Sequence, residues 1–278
     1  MFTLKLENSK IANSMYSYIL EHFDLTDIEV KQYSEKLVFK FDNNDKLYKS
    51  FSLSFTNLII HFFEKKTIQK ILRKNYFYFS DEEQFQILSI CDSILNDEEA
   101  NHKNDLIFLA VFDYIKNNSF MNLVGFLQFR LKDYLEILDY LVDLAVNNFI
   151  INREYTKFIE LLQEYITSSS PKIDIIHLIY LNQESILLDE SKNLIPIDDQ
   201  IMDAKYLSDI SFSTNDYSLN TLLNLLPEKL YIHILDEEDE FINTLEKIFK
   251  SRIVFCYDCE ICNFYKTTTS LVHSDKTD

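Results

Sequence analysis

One ten-residue stretch decides the fold class: KIDIIHLIYL at residues 172–181. It is almost wholly apolar and rich in β-branched residues, which is typical of a strand buried on both faces. Ser185–Leu188 follows at hairpin distance and is expected to pair with it. Further along the chain, strands are predicted at Lys229–Leu235 and Arg252–Tyr257, with a helix over Glu238–Lys250 between them. This order predicts a parallel strand–helix–strand unit.

Helical periodicity dominates the chain before this stretch, from about residue 51 to 168. In the longest predicted helix, Leu123–Phe149, apolar residues recur at spacings of three and four, and charged residues line the opposite face. Other helices are predicted over 53–75, from the capping box of Ser80 and Glu83 onward, around 106–113 and over 152–167. Pro171 is expected to end this helical region.

The N-terminal residues alternate between strand and helix patterns. A strand is predicted at Phe2–Leu6, a helix at Asn8–Phe23, and a hairpin from Ile28–Tyr33 and Lys36–Phe41. We therefore predict an α+β protein with a small N-terminal strand–helix–hairpin unit, a central helical bundle and a C-terminal α/β unit. The predicted domains are a small α/β unit at 1–50, the bundle at 51–170, the α/β unit at 171–258 and a cysteine-containing tail at 259–278, whose last fifteen or so residues are expected to be frayed.

The glycine content limits the kinds of site that the chain can build. There is one glycine, Gly125, in 278 residues. Dinucleotide fingerprints, P-loops and nucleophile elbows each need two or more glycines, where a side chain would block the ligand or the turn. These three motifs are excluded, and an enzyme is not the favoured interpretation. Turns that need positive φ are expected to use Asn instead.

Charge and hydropathy restrict the partners. The formal net charge is −18, from 45 acidic and 27 basic residues, and such a surface disfavours nucleic acid and anionic lipid. No apolar run reaches the roughly 18 residues that a membrane-spanning helix needs. The first residues, MFTLKLE, lack the pattern of a secretory leader. We therefore expect a cytoplasmic protein without membrane insertion.

Three of the four cysteines lie in one short run after the last predicted strand. Cys256, Cys259 and Cys262 form a C-x₂-C-x₂-C pattern, in which thiolates on a turn can hold one metal ion. Tetrahedral zinc needs a fourth ligand, and His233 in the neighbouring predicted strand is the best candidate. An iron–sulfur run needs a fourth cysteine, but Lys266 stands at that spacing. Zinc and an iron–sulfur cluster are the candidate cofactors.

Two alternatives to a metal remain open for these cysteines. They can form a thiol redox pair, or they can be reduced residues that fill small apolar positions, which is the usual fate of free cysteine. Cys91 lies on the apolar face of its helix and is expected to be a core residue. His177 is a poorer candidate ligand than His233.

Two other clusters are better explained by structure than by chemistry. Lys65, Lys66, Lys70, Arg73 and Lys74 precede an aromatic run at 76–79, a pattern that can bind single-stranded nucleic acid. We interpret it as the solvated face of a helix whose aromatic residues are buried. Asp236 and Asp258 follow two predicted parallel strands and are interpreted as solvated strand ends.

The sequence also resembles the YtxC-like family of sporulation-associated proteins. The resemblance lies in FRLKDY at 129–134, DLAV at 143–146, YTKFIELL at 155–162, PKIDIIH at 171–177 and the three C-terminal cysteines. It implies a cytoplasmic protein linked to endospore formation, with no established catalytic residues. Our functional hypothesis is a non-enzymatic interaction or regulatory protein with a protein partner. The alternative hypothesis is a metal-binding or thiol-redox protein.

Overall fold

The structure is a computed structural model that describes residues 1–42, 44–96, 102–196, 213–235, 237 and 239–274. The chain forms two compact units, an N-terminal unit, Met1–Asn152, and a C-terminal unit, Arg153–Asp278. A compact unit need not be a domain that folds by itself. The four predicted domains therefore remain a prediction. Among the described residues, no helix combines the length and the apolar character needed to cross a membrane.

The N-terminal unit contains a four-stranded sheet, here called sheet A, in the order β2-β3-β1-β4. Alternate residues of its strands, including Leu4, Leu37, Phe39 and Met121, are fully buried and form one core with the apolar faces of the helices. Its strands are β1 (Phe2–Lys5), β2 (Glu29–Tyr33), β3 (Lys36–Lys40) and β4 (Phe120–Asn122). Strand β4 pairs in parallel with β1 and was not predicted, since three residues give no readable alternation.

The helices of this unit are α1 (Ser9–His22), α2 (Asp45–Ile59), α3 (Lys65–Asn75), α4 (Asp81–Leu95), α5 (His102–Asn117) and α6 (Leu123–Arg130). The helix predicted over 53–75 begins earlier, because the Asn44 side chain accepts a hydrogen bond from the Lys46 backbone N–H and caps it. A π-helical turn, Ile60–Glu64, joins α2 to α3. The predicted Ser80/Glu83 capping box is present at the start of α4.

The long helix predicted over 123–149 is divided differently in the structure. The backbone leaves the helical conformation at Leu131, and α7 then runs without interruption over Lys132–Ser168, through the gap predicted before 152. No Pro or Gly lies within that gap to break it. The last part of α7 belongs to the C-terminal unit.

The C-terminal unit contains a second four-stranded sheet, here called sheet B, in the order β6-β5-β7-β8. The KIDIIHLIYL stretch forms its inner strand β5, antiparallel to β6 and parallel to β7, which is itself parallel to β8. Its strands are β5 (Ile173–Leu181), β6 (Glu184–Asp189), β7 (Pro227–Ile234) and β8 (Ile253–Cys256), and its further helices are α8 (Thr214–Leu225), α9 (Glu240–Phe249) and α10 (Glu260–Ser274). The predicted hairpin, the parallel strand–helix–strand unit and the α+β class are confirmed.

The two faces of sheet B carry different cores. Ile176, Leu178, Leu230 and Ile232 pack with α8 and α9 in the larger core. On the opposite face, Ile179 and Leu188 pack against Ile261 of α10 in a smaller core. The prediction of a frayed end is wrong for residues up to Ser274, which form α10.

The prediction that Asn residues provide the positive-φ positions is largely wrong. Among the described residues, Asn182 is the one Asn with positive φ. The others are Ser34, Gln183, Lys192, Leu226 and Lys250. Tertiary packing and hairpin closure impose these conformations on residues that do not favour them.

Candidate metal centre

His233 lies on β7 in the middle of sheet B. Strand alternation directs its side chain away from the core around Ile232 and Ile234, toward the face that α10 covers. His233 is opposite Cys256 in the register of β7 with β8. The two side chains therefore stand side by side on one face of the sheet.

The remaining two cysteines come from the turn and the helix that follow β8. Cys259 lies just before α10, and its carbonyl oxygen accepts a hydrogen bond of 2.9 Å from the backbone N–H of Asn263. Cys262 lies in the first turn of α10 and is fully buried. Lys266 donates from Nζ to the carbonyl oxygen of Tyr257 over 3.1 Å and so holds the turn against the helix.

The structure brings four predicted ligand residues together. The ligand atoms of His233, Cys256, Cys259 and Cys262 all lie within 4.8 Å of one another. His233 Nδ1 is 3.4 Å from the sulfur atoms of both Cys259 and Cys262. Cys262 Sγ is 3.7 Å from Cys259 Sγ and 3.9 Å from Cys256 Sγ. One nitrogen and three sulfur atoms thus converge on a single point.

The local environment keeps both histidines near this site neutral. Burial, followed by the effect of the neighbouring His177, lowers the pKa of His233 to about 4. Burial also lowers the pKa of His177, followed by the positive charge of Lys192, while Glu190 acts in the opposite direction. Neutral imidazole is the form that binds a metal.

The thiols of the cluster differ in their acidity without a metal. Burial, followed by hydrogen bonds with Cys259 and Cys262, raises the pKa of the Cys256 thiol to about 11. Burial opposes ionisation of Cys259 as well, but the hydrogen bonds that it accepts, first from the backbone N–H of Cys262, outweigh burial and lower its pKa. The Cys259 thiol therefore ionises more readily than an ordinary cysteine, whereas the Cys256 thiol needs a cation nearby to ionise.

His177 lies behind the cluster and not within it. Its Nδ1 is 3.0 Å from His233 Nε2, the ring nitrogen that faces away from the sulfur atoms. Sequence reasoning treated His177 only as a weaker ligand candidate. Strand alternation offers a signal for this contact, because His177 and His233 fall on one face of neighbouring strands, two positions apart in register.

The other predicted clusters show no comparable convergence. The basic residues of α3 are exposed while Ile68 and Leu72 are buried, as predicted for a solvated helix face. The expectation that the following aromatic residues are buried is wrong for Phe77 and Tyr78, which are 76% and 63% exposed. Asp258 is exposed, and Asp236 lies outside the described residues.

Comparison with known proteins assigns the family. The sequence model of the YtxC-like family matches residues 49–254, about three quarters of the chain. The chain belongs to the YtxC-like family. The match includes His177 and His233, and it ends two residues before Cys256.

The chain is also similar to a curated protein, the "Uncharacterized protein YtxC" of Bacillus subtilis (strain 168). The two sequences are 20% identical over 210 residues, which cover 70% of this chain and 74% of the relative. No solved structure matches the chain.

Proposed function

We propose that this YtxC-like protein binds one zinc ion through His233 Nδ1 and the sulfur atoms of Cys256, Cys259 and Cys262. The observation that carries the proposal is the convergence of these four atoms within 4.8 Å. Histidine nitrogen and cysteine sulfur are the donors that structural zinc sites use, and four is the number that such sites require.

The distances support a tetrahedral ion. With Zn–S bonds of about 2.3 Å and a Zn–N bond of about 2.0 Å, tetrahedral angles place two sulfur atoms about 3.8 Å apart and a sulfur and a nitrogen about 3.5 Å apart. Four of the six separations are 3.7 and 3.9 Å between sulfur atoms and, twice, 3.4 Å between nitrogen and sulfur. The other two are within 4.8 Å. The site needs little rearrangement to receive the ion.

A single ion suits this site better than an iron–sulfur cluster. A cluster of several iron atoms is larger than one ion, so its ligands must stand further apart than those of a mononuclear site. Four of the six separations between ligand atoms are 3.4–3.9 Å, the spacing of a mononuclear site, and all six are within 4.8 Å. A mixed N/S tetrahedral donor set also favours zinc among the common divalent ions.

The site suits a structural role. Four protein ligands fill the coordination sphere of tetrahedral zinc and leave no position for a substrate, whereas catalytic zinc keeps one position open. The ligands come from β7, the end of β8, the following turn and α10. A bound ion therefore fastens α10 to sheet B, where the apolar contacts of α10 with Ile179 and Leu188 are few.

Elemental analysis and variants test this proposal. We expect one zinc per chain in protein purified without chelator, and its loss in Cys262→Ser, because one ligand is removed. Cys91→Ser is the matched control, since Cys91 is buried in α4 outside the cluster and its loss leaves the metal content unchanged. The proposal fails if the parent protein is colourless and metal-free and gains no thermal stability from added zinc.

Elemental analysis, an absorption spectrum and a thiol assay separate the three other hypotheses for the cysteines. Several irons per chain with a visible charge-transfer spectrum indicate a cluster. A metal-free protein in which two of the thiols form a reversible disulfide indicates thiol redox chemistry. Cysteines that show neither property fill apolar space.

The cellular role that we propose is that of a non-enzymatic interaction or regulatory protein of endospore formation, acting in the cytoplasm on a protein partner. It is supported by the family resemblance, by the closed coordination sphere of the proposed zinc and by the excluded phosphate-binding motifs. Affinity capture from sporulating and from vegetative cells tests it. A partner retained only from sporulating cells supports the role, and a protein that is monomeric and captures none contradicts it.

A further inference from the structure

The proposed zinc site leaves one buried donor to be satisfied. When Nδ1 of His233 binds a metal, the proton of the neutral ring must reside on Nε2. His233 is 2% exposed, so this N–H has no access to bulk water and needs a protein acceptor. Metal-binding histidines meet this need by donating their second N–H to a neighbouring group, which fixes both the tautomer and the ring orientation.

His177 stands where this acceptor is needed. Its Nδ1 is 3.0 Å from His233 Nε2, within hydrogen-bonding distance. An Nδ1 that accepts carries no proton, so the His177 proton is on Nε2. The pair then forms a directed chain in which His233 Nε2–H donates to His177 Nδ1.

The His177 ring is itself held in place. Its ring stacks on Tyr231, with centroids 5.3 Å apart and an angle of 30° between the ring planes. The backbone of His177 pairs with Tyr231 of β7 and with Leu188 of β6, so it belongs to an inner strand of sheet B. The acceptor is therefore fixed by the sheet, independently of the turn that carries the cysteines.

We propose that His177 is a positioning residue, which accepts a hydrogen bond from His233 and thereby directs His233 Nδ1 at the metal. This inference rests on the proposed zinc site. Without the acceptor, the His233 ring can turn about its side-chain bonds or adopt the other tautomer, and both changes remove the nitrogen lone pair from the ion.

Two substitutions at one position test the hydrogen bond apart from packing. His177→Leu fills similar space without an acceptor, and we expect it to weaken zinc binding by about 10–100-fold in a competition titration with a chromophoric chelator. His177→Asn restores an acceptor oxygen close to the position of Nδ1, and we expect it to recover most of the affinity. His61→Leu removes a histidine of the N-terminal unit and leaves the affinity unchanged.

A spectroscopic measurement detects the positioning directly. In ¹⁵N-labelled, zinc-loaded parent protein we expect His233 to be metal-bound at Nδ1 and protonated at Nε2, with a ¹⁵N–¹⁵N coupling across the hydrogen bond to His177 Nδ1. In zinc-loaded His177→Leu we expect the His233 ring signals themselves to change, because the ring is no longer held in the tautomer that is metal-bound at Nδ1 and protonated at Nε2. A role in folding alone would reduce stability but would not move these signals.

The outcomes separate this inference from the proposed function. If the parent protein binds one zinc and His177→Leu binds it as tightly, the inference is wrong and the zinc site stands. Equal weakening by Leu and Asn, or His233 bound through Nε2, also overturns the inference alone. If the parent protein binds no zinc, the proposed function fails and the inference falls with it.

Discussion

Cys91 and the three clustered cysteines illustrate how position decides the behaviour of one residue type. Cys91 is fully buried on α4, and burial raises its pKa to about 11. Cys256 and Cys259 are only partly buried and adjoin other thiols. The first is a small apolar core residue, and the others belong to a polar cluster.

Thiol reactivity is expected to distinguish the two kinds of cysteine. In zinc-loaded native protein we predict slow reaction of all four cysteines with a thiol reagent at neutral pH. After chelation we expect Cys259 to react first, because its thiol is only partly buried and its pKa is lowered, and Cys91 to react only in denaturant, because a protonated, buried thiol is a poor nucleophile. Mass spectrometry of the labelled peptides identifies them. Rapid labelling of Cys91 in the folded protein contradicts the prediction.

The buried ion pair of Glu64 and Lys103 is a feature that no sequence pattern indicated. Lys103 Nζ is 3.0 Å from Glu64 Oε2, with the side chains 8% and 11% exposed, and Tyr134 donates to the same oxygen over 2.9 Å. Burial raises the pKa of Tyr134, and the Glu64 charge adds to this effect, so its hydroxyl remains a donor. Glu64 is the last residue of the π-helical turn and its one buried residue.

Removing one member of this pair is expected to be costly. We predict that Lys103→Met lowers the free energy of unfolding by about 3–5 kcal/mol, because it leaves the Glu64 carboxylate buried without its counter-charge. Lys65→Met is the matched control: it breaks an exposed pair with Asp92, worth at most about 1 kcal/mol. Urea denaturation measures both.

A double substitution checks the cause of that loss. In Glu64→Gln/Lys103→Met no buried charge is unpaired, and Gln still accepts from Tyr134. We expect the double variant to be more stable than Lys103→Met alone. A double variant that loses the sum of both single effects would show that packing, and not charge, explains the result.

At the scale of elements, the β5–β6 hairpin shows a conflict between sequence and backbone. Asn182 and Gln183 have φ of 54° and 61° and connect the two strands. A two-residue turn of this type favours Asn followed by Gly. Gln183 is exposed, so its left-handed conformation is imposed by the closure of the hairpin.

Relieving this conflict is predicted to stabilise the protein. Gln183→Gly removes a penalty of about 1–2 kcal/mol for the left-handed conformation. Glycine also gives the unfolded chain more conformational freedom, which costs about 0.5–1 kcal/mol. We therefore expect the free energy of unfolding to rise by about 0.5–1 kcal/mol. Gln86→Gly, at an exposed position of α4, is expected to cost about 1 kcal/mol. Equal effects of the two substitutions in thermal denaturation would refute the turn argument.

The elements that were predicted well are those with a strong local signal. β5 has a continuous β-branched run, and α4 has a complete capping box. The elements that were missed or divided wrongly depend on distant contacts. β4 exists because β1 offers it a parallel edge, and α7 continues past 152 because both of its parts find a core to pack against.

At the scale of the whole molecule, the proposed metal acts on one unit. All four ligands belong to the C-terminal unit, and the sheet A core lies in the N-terminal unit. The small core beneath α10 contains three buried residues, Ile179, Leu188 and Ile261, and the proposed metal would add bonds to the sheet at this place.

Metal removal is therefore expected to loosen the chain locally. Hydrogen exchange followed by mass spectrometry should show faster exchange in α10 and β8 after chelation, because binding energy of the metal is also folding energy of the segment that it fastens. Strands β1 and β3 should keep their protection. Unchanged exchange of α10 in fully metal-depleted protein would contradict a structural role.

The sequence by itself determined the fold class, the strands of sheet B and the cysteine spacing, because periodicity and turn chemistry are local properties. It also named His233 as a partner for the cysteines. The tertiary structure decided what local patterns cannot express. The register of β7 against β8 places His233 beside Cys256, the packing of α10 brings Cys262 to both, and the register of β5 against β7 sets His177 behind His233. These distances depend on how strands pair and how a helix docks, which are set by the burial of whole faces and not by any short stretch of residues.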